Sequence, residues 1–155
     1  MSVEFSETEW KYEPVQASTL AGVADAISQM EEAAKTEWFP AYKYDTTDEA
    51  VSGAVVTVKT KVTMPLWSGY TNVSQGQKDE WDRFMVALRT HEQGHLDLVS
   101  EGLSNVDGSL VGLSVNDAKK AWADALDALR SASDAYDAAT DHGRNEGTII
   151  DAGVS

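Results

Sequence analysis

The sequence predicts an α+β domain, a small antiparallel sheet packed on two long helices and one shorter N-terminal helix. Three observations predict it. Residues 52–65 alternate apolar and polar side chains with the period of two that marks a half-buried strand. Residues 74–102 and 116–140 instead repeat their apolar positions every three or four residues, the signature of amphipathic helices. A shorter stretch beginning at Ser18-Thr19 repeats in the same helical way.

Taken in order, the chain opens with Val3, Phe5, Trp10, Tyr12 and Val15 set among polar residues. That spacing fits an extended segment, and Pro14 places it at a sheet edge. Leu20, Val23, Ala24, Ile27 and Met30 then mark a helix capped by Ser18 or Thr19, running to about Lys35. A short strand is expected around residues 41–44, followed by a loop. In residues 52–65, Val56, Val58 and Val62 share one face, while Lys59, Lys61 and Thr63 take the other. One polar face fits an antiparallel or edge strand, which could pair with an extended peptide. Pro65 ends it, and residues 66–70 turn.

The next helix carries Trp81, Phe84, Met85, Leu88, His91, His95, Leu98 and Val99 on its inward stripe. Gly102, Gly108 and Gly112 bring it to a stop and a turn. The last helix, with Ser114 as N-cap, places Ala118, Trp122, Leu126, Leu129, Ala132 or Ser133, Tyr136 and Thr140 on its buried side, and Gly143 stops it. Residues 148–155 read as a short closing strand or a frayed end.

At 155 residues the chain, 1–155, fits one domain with a real core. Its formal net charge of −14 excludes the positive footprint that nucleic-acid binding needs, and opposes docking on anionic membrane. No apolar run approaches the roughly 18 residues that span a bilayer. The N-terminus lacks the basic and apolar regions of a secretory signal. With no cysteine, any metal site must draw on His, Asp, Glu or Tyr. The expected form is a monomer.

The inward stripe of the first long helix contains His91-Glu92-Gln93-Gly94-His95, a His-Glu-x-x-His motif. Two imidazoles one turn apart can grip one Zn²⁺, and the glutamate between them can take a proton from an attacking water. Catalytic zinc wants three protein ligands. A His-x-x-Gly-x-x-His extension fails, because Leu98 and Glu101 stand where Gly and His would be. A Met-turn is impossible, since no methionine follows Met85. The remaining histidine, His142, is therefore the favoured third ligand. Asp137 and Asp141 are fallback ligands, or partners that orient an imidazole. Tyr136 is a candidate oxyanion donor beside Glu92, the candidate base. Arg144 could bind a substrate carboxylate. Trp67 and Tyr70 hint at an apolar substrate.

His91-Glu-Gln-Gly-His95 followed by Tyr136-Asp-x-x-Thr-x-His-Gly143 resembles the bacterial predicted secreted zinc-dependent proteases, long catalogued as a domain of unknown function. Met64-Pro65-Leu66-Trp67 and Trp81 add to the resemblance, which spans roughly residues 10–147. It implies a zincin-like peptidase, secreted or periplasmic, with His91, His95 and His142 on zinc and Glu92 as base. The expected function is zinc-dependent endopeptidase, acting on protein or peptide. The rival is a zinc-stabilised binding module without catalysis, in which a fourth protein ligand closes the metal site. A third possibility is a metal-free helical adaptor.

Overall fold

The computed structural model describes residues 2–155. Its sheet is built around one long strand, β4 (Ala50–Trp67). On one side of it lies β3 (Lys35–Thr47), antiparallel, joined by a tight turn in which Asp48 and Glu49 both take left-handed backbone. On the other side β1 (Ser2–Phe5) and β2 (Glu9–Val15) lie end to end, both parallel to β4. Two of the three pairings are thus parallel, which corrects the expected antiparallel sheet. Helix α1 (Leu20–Ser28) and β3 intervene between β2 and β4, so the chain returns to the same end before β4 begins. Side-chain alternation marks a strand but not its direction.

Strand β4 is central and paired on both sides, not an edge open to a peptide. The edges are β3 on one side and β1 and β2 on the other, each pairing only with β4 among the described residues. Pro14 and Pro40 sit on edge strands, where a missing N–H need break no ladder. Pro65 does not end β4; it lies beyond the last β3 pair, Lys35 with Thr63, and the strand continues to Trp67.

Helix α1 is shorter than its apolar pattern suggests. Thr19 caps it, accepting from the Gly22 N–H, and it closes at Ser28 because Lys35 is already in register with Thr63. Strand β3 is correspondingly longer than expected.

The inner face of β4 presents Val56, Val58, Val62, Met64 and Trp67 to helix α2 (Gln75–Leu103). Trp81, Phe84, Leu88, Val99 and Leu103 of α2 close the core over them. In place of the plain turn expected after α2 there is a short helix, α3 (Val106–Leu110), whose two apolar ends are buried. Helix α4 (Val115–Thr140) runs antiparallel to α2. Gly102 lies against Leu129, while His95 lies against Ser133 and His91 against Asp137. The chain after α4 forms no strand. A 3₁₀ turn at Arg144–Glu146 leads into a segment whose Ile150 and Val154 pack on the core beside α2.

Candidate metal centre

The motif helix offers its two histidines to α4, not to solvent. His91 and His95 are 3% and 6% exposed, so whatever their nitrogens meet must come from protein or from a bound ion. Opposite them α4 presents Ser133 and Asp137, four residues apart and so on one face of that helix. Asp137 Oδ1 stands 3.1 Å from His91 Nε2 and 2.8 Å from His95 Nε2. The three donor atoms lie within 4.8 Å of one another and could hold a metal ion.

Both imidazoles are fixed from behind through the other nitrogen. His95 Nδ1 is 2.7 Å from Ser133 Oγ. His91 Nδ1 is 2.9 Å from Glu146 Oε1. Both His91 nitrogens face carboxylates, which only accept; with a cation on the Nε2 side, the proton belongs on Nδ1 toward Glu146 and Nε2 turns its lone pair to the donor group. A lone pair and a carboxylate oxygen then face one point, and a cation there satisfies them. The two spacings to Asp137, 3.1 and 2.8 Å, fall somewhat below the edge of about 3.3 Å of a tetrahedron with Zn–N or Zn–O bonds of about 2.0–2.1 Å.

Tyr136 fills the space behind the pair. Its ring stacks on His91 at 4.9 Å and meets His95 edge-on at 4.9 Å. Gly94 makes this possible, because a Cβ there would come within 2.2 Å of the Tyr136 hydroxyl. That hydroxyl donates to the His91 carbonyl at 3.1 Å and lies 3.3 Å from Glu146 Oε1. Burial first, then the charge of Glu146, push its pKa up to about 12, so the phenol keeps its proton. It braces both imidazoles through these ring contacts.

The other side of the centre opens into a cleft of about 520 Å³. His91, Glu92, His95 and Asp137 line one part; Ala24, Ile27, Phe84, Leu88 and Ile150 line another. Glu92 is 4% exposed, and its Oε2 accepts from Thr36 Oγ1 of β3 at 2.5 Å. Burial raises the Glu92 carboxyl pKa, against the opposing pull of the Thr36 hydrogen bond and the two histidines.

The structure therefore gathers His91, Glu92, His95, Tyr136 and Asp137 at one centre. His142 stands apart from the donor group, although it borders the same cleft. Its side chain is 66% exposed, and its Nδ1 lies 4.0 Å from Asp137 Oδ2. Asp141 caps α4 in left-handed backbone and pairs with Arg144 at 3.5 Å, outside the donor group. Arg144 lines the cleft. Trp67 and Tyr70 do not; Trp67 Nε1 donates to the Ala17 carbonyl, and Tyr70 to Asp82. Glu146 and Thr36 are not foreseen from sequence, and Ser133 is foreseen only as one of two candidates, with Ala132, for the buried stripe of the last helix. Ser133, Tyr136, Asp137 and Thr140 at three-and-four spacing were a signal for Ser133; Glu146 and Thr36 left none.

Residues 10–143 match a family described as "Bacterial protein of unknown function (DUF922)". No curated protein and no solved structure matches the chain.

Proposed function

We propose that this chain, which belongs to that bacterial family, is a zinc-dependent endopeptidase. One observation carries the reading: a three-donor group, His91, His95 and Asp137, borders an open cleft beside a buried glutamate. Three protein donors leave a coordination position free, as catalytic sites do and closed structural sites do not.

In this reading His91 and His95 hold the ion through Nε2 and Asp137 through Oδ1. Asp137 replaces His142 as the favoured third ligand, because among the described residues it alone joins the two histidines in a compact donor group. A zinc ion bound there supplies Lewis acidity toward a carbonyl oxygen and toward water. Glu92 accepts the proton of the attacking water and returns it to the leaving amine. Its burial suits that task, since a raised pKa makes the carboxylate a stronger proton acceptor than an exposed one. Thr36 holds the carboxylate in place, and the apolar part of the cleft receives a substrate side chain. Where β3 passes the cleft at Thr36, its free edge gives an extended peptide a backbone to pair with.

The test pairs metal analysis with protein digestion. Wild type should bind about one zinc per chain and digest casein in a chelator-sensitive way. Glu92→Gln should keep the zinc and lose at least about 100-fold in rate. Equal digestion by both proteins would overturn the assignment. Zinc binding that raises thermal stability, with no digestion across salt and pH, would favour the binding module instead.

A further inference from the structure

Glu146 reaches His91 from a single 3₁₀ turn, Arg144–Glu146, with no longer helix or strand around it. Its 3₁₀ turn is bounded by Gly143 at φ +85° and Gly147 at φ +97°, both in the left-handed region that favours glycine. The two glycines let the turn lie directly on α2. A Cβ on Gly143 would sit 2.9 Å from His91 Cγ, and one on Gly147 would sit 3.2 Å from Arg83 Nη1. The turn thus touches α2 at His91 and again two turns upstream, about 12 Å along the axis.

At the upstream contact a charged fork grips the segment. Arg83 Nη1 donates to the Gly147 carbonyl at 3.0 Å, and Nη2 donates to the Ile149 carbonyl at 2.6 Å. The same guanidinium forms a two-point pair with Glu80, Nε to Oε1 at 2.5 Å and Nη2 to Oε2 at 2.9 Å. Glu80, only 9% exposed, also accepts the Asp151 N–H at 2.6 Å. Three bonds to the backbone at 147, 149 and 151 therefore radiate from one ion pair. Such a bidentate pair is stiffer and more directional than a lysine or a single hydrogen bond.

We propose that Glu80 and Arg83 are positioning residues of the metal centre: they fasten residues 147–151 to α2 and so hold Glu146 against His91 Nδ1. Neither touches the donor atoms. Their effect on the ion passes through Glu146, which sets the orientation of the His91 ring and keeps Nε2 turned to Asp137. The proposal rests on the centre being a metal site, as read above.

The test is a double-mutant cycle on zinc affinity, measured by competition with a chromophoric chelator. Glu146→Ala should weaken zinc by about 10- to 100-fold, and Arg83→Met by about 10-fold. Because Arg83 acts through Glu146, the double variant should bind zinc no more weakly than Glu146→Ala alone. In the metal-free protein the His91 Nδ1 nitrogen resonance should move in Arg83→Met. Wild-type affinity in Arg83→Met, or losses that multiply in the double variant, would overturn the proposal while leaving the zinc site intact. A wild type that takes up no zinc would overturn the reading of the centre and the proposal together. Should Arg83→Met fail to fold, Arg83→Lys carries the same comparison, since it keeps the charge and loses the fork.

Discussion

His91 and His95 are one turn apart on the same helix, yet they are held from behind in different ways. His95 leans on Ser133, which α4 delivers on the same face as Asp137. His91 leans on Glu146, which comes from a tight turn between two left-handed glycines. The first support is part of a helix pair whose packing is shared with the core through Leu129, Val99 and Leu103. The second depends on a few backbone positions and on the grip of Arg83. A centre built this way has one rigid wall and one fastened wall. Damage to the rigid wall should disturb the fold and the ion together. Damage to the fastened wall should disturb the ion more than the fold.

The largest expected effect is on the rigid wall. Gly94→Ala drives a methyl into the Tyr136 ring, which cannot move without unstacking from His91. It should cost about 1–3 kcal/mol in thermal unfolding and also weaken zinc. Gly143→Ala meets His91 and Thr148 at 2.9 Å and adds about 1–2 kcal/mol of left-handed backbone cost. Its stability loss should be of similar size or smaller, with zinc affinity falling further than in Gly94→Ala. Reversed rankings on zinc would mean that the glycine turn is not the weaker wall.

A smaller effect separates the two rear supports directly. Ser133→Ala removes a neutral hydrogen bond and Glu146→Ala a charged one, and charge-assisted bonds are about twice as strong. Zinc affinity should therefore fall less in Ser133→Ala than in Glu146→Ala. Equal losses would show that the carboxylate contributes no more than the hydroxyl.

The same contrast explains what could be read in the sequence. Regular helices declare their faces by period, so His91, His95 and Tyr136 could be assigned to buried stripes before any coordinates. The same rule reaches Ser133 as one of two candidates for its place on the stripe, and Asp137 as a fallback ligand. His142 drew attention as the last histidine. It follows the end of α4, where Asp141, His142 and Gly143 take three successive positive φ values and helical phase no longer predicts direction. Glu146 lies further along that irregular path. In the sheet, alternation revealed β4 but not its parallel partners, because pairing direction depends on the chain's return path through α1 and β3. Likewise the end of α1 was set by the register of Lys35 with Thr63, a contact 28 residues away in sequence that no local pattern encodes.

The measurement that bears most directly on the centre is zinc affinity in wild type, Asp137→Ala and His142→Ala, each checked for folding by circular dichroism. Removing a donor of the compact group should cost at least about 100-fold, whereas removing the exposed imidazole at the rim should change affinity by no more than a few-fold. The opposite order, with zinc retained in Asp137→Ala and lost in His142→Ala, would contradict the assignment of Asp137 as the third ligand.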